Sequence, residues 1–346
     1  MQATIIGFDI AKSVFQIHGE EPCGKKVLSK RLKRAAAEQY LASLPPTMIG
    51  IEACGSSHHW GRLLTEMGHE VRLVSAAYVR PFVKRNKTDA RDAEAICEAI
   101  QRPSMRFVPV KSVAQQSGRA LINARTMLVS QCTQLINAIR GMLAEVGVIA
   151  ATGQKGFGQL AALLDRADAS VPASLLPALR PLLQQWRTAG AAADAIETQI
   201  IADSKAHPTM RLLMSIPGIG ALTAHAIVMA IGDGKRFKSG RDFAAWLGLT
   251  PLMYASGNRT RVGHISCKGD SGLRRLLVLG ASALTRQAKS RDASSAQEHW
   301  LHGVLARRPA KVATVAQAAK NARIAWAVLT SGRPYQAKRC ATTVAA

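Results

Sequence analysis

Asn86-Lys87-Thr88-Asp89-Ala90-Arg91-Asp92-Ala93-Glu94 carries the marks of a helix start. Thr88 is a suitable N-cap, acidic residues fill the first turn, and an Ala/Ile-rich face follows. Asp89 and Asp92 lie three residues apart, so both carboxylates project from one helical face. Like charges that close repel unless a cation sits between them. A surface helix start, with acids facing the dipole and water, accounts for the pair equally well. Two further acids weigh against that second reading. Asp9 closes the apolar run Thr4-Ile5-Ile6-Gly7-Phe8, and Glu52 closes Met48-Ile49-Gly50-Ile51. Each run is short and apolar, as befits a strand buried on both faces, and each places a carboxylate at the strand's C-terminal end, where open α/β sheets hold ligands. Asp9, Glu52, Asp89 and Asp92 together offer hard oxygen donors suited to Mg²⁺ or Mn²⁺, and two such ions can clamp the attacking and leaving oxygens of a phosphodiester.

Composition narrows the partners. The 346 residues allow two or three domains, and 48% hydrophobic against 20% charged residues describe a globular chain. Lys and Arg number 46 against 22 Asp and Glu, a net charge of +24. That excess points to a polyanion, because basic side chains gain free energy by releasing counterions from phosphates. No long apolar run or signal peptide is present, so no membrane partner and a cytoplasmic location are expected. The six cysteines show neither CxxC nor Cys/His spacing, which argues for reduced thiols and against zinc.

The order of signals predicts a multidomain α/β plus α protein. In residues 1–110, a strand ending at Asp9, hairpin strands at Ser13-Val14-Phe15-Gln16-Ile17 and near Val27-Leu28, a helix from Leu32 to Leu44 and the Glu52 strand follow in turn. A helix from Ser57 to Met67 capped by Gly68, the strand Val71-Arg72-Leu73-Val74 and the Asp89 helix complete a ribonuclease-H-like order. Residues 111–205 form a helical arm. Leu121, Leu128, Leu135 and Met142, with Cys132, Ile139 and Val146, mark a heptad seam that Arg125 interrupts. A glycine-containing break over 152–158 leads to a second helix from Leu175 to about Ala202, whose spine includes Leu179, Leu183, Trp186, Ala193 and Ile200. The arm is either an intramolecular hairpin or a means of oligomerisation.

Residues 206–346 begin a third, mostly helical domain. Ser215-Ile216-Pro217-Gly218-Ile219-Gly220 between apolar helices fits a helix-hairpin-helix turn whose amides grip a phosphate, or a plain connector. Between Lys235 and Arg291 stand twelve Lys/Arg and two acids. There Tyr254-Ala255-Ser256-Gly257 places Ser256 in a flexible cationic loop. Its hydroxyl can attack phosphorus if neighbouring cations stabilise the developing charge, or it can simply bond a turn. Pro217, Gly218, Gly220, Arg259, Arg261, Lys268, Arg274 and Arg275 are the candidate nucleic-acid contacts. Beyond His299 there is no acid and eight basic residues, from Arg307 to Arg339, a tail suited to phosphates.

Taken together, Gly7-Phe8-Asp9-Ile10-Ala11-Lys12, Ile51-Glu52-Ala53-Cys54-Gly55, the Asn86–Ala93 motif, Ile216-Pro217-Gly218-Ile219-Gly220 and Gly248-Leu249-Thr250-Pro251 followed by Tyr254-Ala255-Ser256-Gly257 resemble the insertion-sequence-110 family of transposases, the bridge-RNA-guided DNA recombinases. The resemblance covers nearly the whole chain. Cys54 departs from it, standing where Thr is common. It implies an N-terminal domain similar to the RuvC Holliday-junction resolvase, a coiled coil, and a C-terminal transposase domain. It also implies Mg²⁺ held by Asp9, Glu52, Asp89 and Asp92, and Ser256 as a nucleophile forming a phosphoserine link to DNA. A non-coding bridge RNA would pair with double-stranded donor and target DNA, and acid-bearing and serine-bearing domains would meet across a tetramer. Other readings are a water-using junction endonuclease and a non-catalytic nucleic-acid scaffold.

Overall fold

The computed structural model describes residues 3–84 and 88–337. Asn86 and Lys87 of the opening motif, and Lys338, Arg339 and Cys340 of the tail, lie outside the described residues. The chain divides into two compact units, Met1–Ala114 and Gln115–Ala346.

In the first unit, β1 (Ile5–Ile10), β2 (Val14–Glu20) and β3 (Lys26–Lys33) form an antiparallel meander. Helix α1 (Arg34–Ala42) carries the chain across to β4 (Met48–Glu52), parallel to β1. Then come α2 (Ser57–Glu66), β5 (Glu70–Val74) parallel to β4, the short α3 (Ala76–Val79), α4 (Asp89–Ile100) and β6 (Phe107–Val108), antiparallel to β5. The strand order β3-β2-β1-β4-β5-β6 is consistent with the ribonuclease-H-like order expected from the sequence. One boundary differs. The helix expected from Leu32 starts only at Arg34, because Leu32 pairs with Phe15 in the sheet and is buried there.

Side-chain parity sorts the two faces of this sheet. Ile6, Phe8, Ile49 and Ile51 join Trp60, Leu64 and Leu41 in one core, where Phe8, Phe15 and Trp60 meet edge to face at 5.0–5.5 Å. The alternating positions Gly7 and Gly50 turn to the opposite face, against α4. A Cβ on Gly7 would run into the carbonyl oxygen of Ala93, and one on Gly50 would meet Ile96 and Ile100. The two glycines let the helix backbone lie directly on the sheet.

In the second unit, α5 (Val113–Ala144) and α7 (Leu176–Ala206) pair antiparallel, with α6 (Gly153–Asp165) inserted between them in sequence. Their contacts run in reverse order. Arg125 pairs with Glu197 at 2.6 Å, the Cys132 thiol reaches the Trp186 carbonyl at 3.8 Å, and Ile139 and Leu143 share a core with Leu179 and Leu183. The cation that interrupts the seam is thereby matched by an acid. Two expectations change. The glycine-containing break is the first turn and a half of α6, whose Gly156 is buried against the Ala151 backbone. The seam also drifts, since Met142 and Val146 are exposed and Leu143 faces inward. A straight helix of 3.6 residues per turn leaves a seven-residue repeat by about 20° per heptad.

Helices α8 (Pro208–Met214), α9 (Ala221–Ile231), α10 (Gly240–Trp246), α11 (Ser271–Ala288), α12 (Ala296–Leu305) and α13 (Ala310–Ser331) complete this unit. They enclose a core built on Leu213, Ile227, Phe243, Leu277 and Ala322. Between α10 and α11 stands a two-stranded hairpin, β7 (Pro251–Ser256) and β8 (Arg259–Ile265). No helix of the described residues is long and apolar enough to cross a membrane.

Candidate active site

The four predicted carboxylates come to one end and one face of the first sheet. Register sets the first pair: Phe8 is opposite Ile51 in the parallel β1–β4 ladder, so Asp9 and Glu52 are the next residues along. Being two residues beyond Gly7 and Gly50, they turn to the α4 side. The direction of α4 sets the second pair. Its C-terminal half lies over the start of β1, where the Cys97 thiol reaches the Ile5 carbonyl at 3.8 Å. Its first turn, with Asp89 and Asp92, therefore lies toward the end of β1. The Thr88 hydroxyl accepts from the Arg91 amide at 3.4 Å, the N-cap that the sequence promised. Lys84 donates to Glu94 at 2.6 Å, so the chain entering α4 is tied to it. The ammonium beside Glu94 holds that carboxyl below its ordinary range.

Asp9, Glu52 and Asp92 are half-buried and each interacts with other groups; Asp89 is exposed. Among the described residues, no three His, Cys, Asp or Glu side chains are gathered closely enough to hold a metal ion. The donor set nonetheless fits a hard divalent cation in kind, being carboxylate throughout with no thiol or imidazole among the four. Cys97, over the opposite end of β1, stands apart from this set, and burial pushes its thiol up to about 12.

Ser256 lies in the second unit, at the end of β7, and pairs across the ladder with Arg259, as Tyr254 does with Arg261. The expected flexible loop is thus a strand end followed by the tight connection Gly257-Asn258, with Gly257 at φ 53° as such turns require. Ser256, Arg259 and Arg261 are all exposed. The hairpin's foot is fastened by Gly248 (φ 72°), which a Cβ would drive into the Lys268 backbone, and by the Ser266 amide donating to the Thr250 carbonyl. Arg274 donates through Nη1 to the carbonyls of Leu247 and Lys268 at 2.9 and 3.0 Å. It therefore braces this foot, while Lys268 and Arg275 are exposed.

In the Pro217-Gly218 turn, Pro217 is exposed and Gly218 half-buried. The Pro217 carbonyl accepts from Asn321, and Gly218, at φ 82°, sits against Gly280. Gly220 is exposed at the N-terminus of α9. Asp270, counted only as an acid in the sequence, is the N-cap of α11 and pairs with Arg119 at 2.6 Å. Burial pushes its carboxyl up, but the Leu273 amide and the Arg119 guanidinium outweigh this and hold it below the usual range. An Asp just before a helical apolar run was the signal available for that role.

A family model described as "Transposase", of the DEDD type of IS110, matches residues 6–148, and one described as "Transposase IS116/IS110/IS902 family" matches residues 210–297. The chain is 44% identical over 341 residues to a probable family 20 transposase of Pseudomonas aeruginosa, covering 97% of this chain and 99% of that one. The chain belongs to the IS110 family of transposases. Its similarity extends to the transposase for insertion sequence element IS1111A of Coxiella burnetii, 39% identical over 96% of this chain and 91% of the relative. That for IS1328 of Yersinia enterocolitica is 37% identical over 96% and 98%. The transposase is therefore a DNA-recombining enzyme. Its two family-matched segments contain, respectively, the four carboxylates and the Ser256 hairpin.

Proposed function

We propose that this transposase is an RNA-guided, site-specific recombinase that cuts and rejoins DNA through a phosphoserine intermediate on Ser256. The supporting observation is Ser256 at the exposed tip of a hairpin, opposite Arg259, with Arg261 two pairs along the ladder, across from Tyr254. Attack by Oγ forms an O–P bond and breaks the bond from phosphorus to one deoxyribose oxygen. The serine proton is lost to solvent and the leaving alkoxide takes one back. The two guanidinium groups stabilise charge that develops on the phosphoryl oxygens. Reversal with a different strand's hydroxyl rejoins DNA without loss of bond energy, so no nucleotide cofactor is needed.

Asp9, Glu52, Asp89 and Asp92 would hold Mg²⁺, or Mn²⁺ in its place, which when bound supplies Lewis-acid stabilisation of the phosphodiester. DNA phosphates would meet the amide end of α9 at Gly220 and the exposed cations Lys268 and Arg275. We assign base pairing with donor and target DNA to a bridge RNA, in keeping with a protein of +24 net charge that meets polyanions. We assign self-association to the arm over 111–205, distinct from the serine-bearing domain over 206–346 and the RuvC-like domain over 1–110.

The test is a denaturing gel of protein, Mg²⁺, RNA from the element's flank and a labelled cognate DNA junction. A covalent protein–DNA band is expected in the wild type. Ser256→Ala and Asp89→Asn should each remove it while leaving the melting temperature unchanged. Cleavage without an adduct that survives Ser256→Ala would instead establish a water-using nuclease built on the acids alone.

A further inference from the structure

Asp9, Gln16 and Arg31 stand in one row across the first sheet. Asp9 is opposite Gln16 in the β1–β2 ladder, and Gln16 is opposite Arg31 in the β2–β3 ladder. Directly opposed residues turn their side chains to the same face, so Arg31 shares the α4 face with Asp9. Lys33, opposite Val14, shares it as well. Contacts on both faces agree with this parity. His18, in step with Gln16, is tied through Glu20 to Gln101 at the C-cap of α4. Lys30, of the other parity, lies over the Tyr40 ring of α1 at 4.1 Å.

Helix α4 covers β2 but leaves β3 bare. His18 is buried, whereas its partner Ser29 on β3 is exposed, as are Arg31 and Lys33. Neither cation has a hydrogen bond or ion pair among the described residues. The stretch around them is cationic throughout: between Glu21 and Glu38 stand Lys25, Lys26, Lys30, Arg31, Lys33 and Arg34, and no acid. Neighbouring strands lie about 4.8 Å apart, so two steps place the Arg31 backbone about 10 Å from that of Asp9. The result is an open, positively charged shelf beside the carboxylates.

We propose that Arg31 and Lys33 hold the backbone of the DNA strand being cut, at phosphates about two to four nucleotides from the scissile one. The inference rests on the reading that the four carboxylates act on a phosphodiester. Phosphates follow one another at about 3.4 Å of helix axis along a strand, so a separation of about 10 Å spans about three of them. The row ends on Asp9, which makes the strand before Arg31 the one that passes the acids. Charge on an edge strand also discourages pairing with foreign sheets. That role is blind to face, whereas a phosphate contact needs Arg31 and Lys33 and not Lys30.

The test is ethylation interference with the full-length protein, RNA from the element's flank and a labelled cognate DNA junction. Binding is read in Ca²⁺ and the cut is mapped separately in Mg²⁺. In the wild type, ethylating the phosphates about two to four nucleotides from the cut should lower retention about tenfold. Arg31→Ala with Lys33→Ala should erase that interference, leave the rest of the pattern and keep the melting temperature; Arg31→Lys should preserve it. Lys30→Ala removes a charge from the other face of the same strand and should leave the pattern intact. A double variant with the wild-type pattern would overturn the proposal. So would interference lost only at distant phosphates, an effect confined to RNA binding, or an equal loss in Lys30→Ala. An Asp9→Asn variant that cuts as the wild type does would instead overturn the reading of the carboxylates, whatever the interference shows.

Discussion

A methyl group added at Gly7 would meet the backbone oxygen of Ala93, whereas one added at Gly50 would meet only Ile96 and Ile100 side chains. Side chains can rotate away; a helix backbone can only shift as a body. Gly7→Ala is therefore expected to lift the first turn of α4, moving Asp89 and Asp92 relative to Asp9. Overpacking of this kind destabilises by about 1–3 kcal/mol, and Gly50→Ala by less. Calorimetry should place Gly7→Ala below Gly50→Ala in melting temperature, and only Gly7→Ala should lose DNA processing altogether. Equal effects would mean that α4 adjusts and that the carboxylates are not held by this contact.

At the scale of the element, α12 shows how a cap links stability to pH. Glu298 completes a capping box with Ser295, accepting from the Ser294 and Ser295 amides at 2.9 and 3.0 Å. The Ser294 amide and hydroxyl, with Ser295, hold the Glu298 carboxyl at about 2, well below its ordinary 4.5. A depressed carboxylate stabilises the fold above its unfolded pKa and loses that contribution as pH falls through the folded value. The wild type should thus lose stability between about pH 4.5 and 2 more steeply than Glu298→Gln. At pH 7 the variant is expected to be less stable by about 1 kcal/mol. Parallel pH profiles would remove the role of the charge. Elements with strong local signals were legible in advance: the Thr88 cap, the runs ending at Asp9 and Glu52, and the arm's helices. Leu32 was misjudged because its burial comes from Phe15, seventeen positions back in the chain. The drift that exposes Met142 and the turn that begins α6 likewise depend on packing no local pattern carries. The four candidate carboxylates could be picked out because strand ends and a helix start are local features. The bond from Asn321 to the Pro217 carbonyl joins residues about a hundred positions apart and left no such trace.

At the scale of the whole molecule, the +24 charge sets how binding responds to salt. Each phosphate contact removed should lower the slope of log K against log salt by about 0.9 on duplex DNA. Arg259→Ala with Arg261→Ala is therefore expected to reduce the slope by about 2, with no change in melting temperature. Arg274→Ala should do the reverse, since its guanidinium braces the carbonyls of Leu247 and Lys268. Titrations at several salt concentrations separate the two, and a double variant with an unchanged slope would take the hairpin out of the DNA contact.

The hairpin that carries Ser256 has a kinetic consequence. β7 and β8 form a sheet of two strands, with Met253, Tyr254 and Val262 exposed. Two strands alone are marginally stable in water, and such ribbons open and re-form within about 1–10 μs. Its amides should exchange with heavy water far faster than those of α9 or α13, which lie in the core. On the proposed serine mechanism, a nucleophile on such a ribbon would spend part of its time out of position, and what docks against the exposed side chains would have to order it before bonds break. The Ser256 hydroxyl would then stay idle on any duplex that does not complete its surroundings.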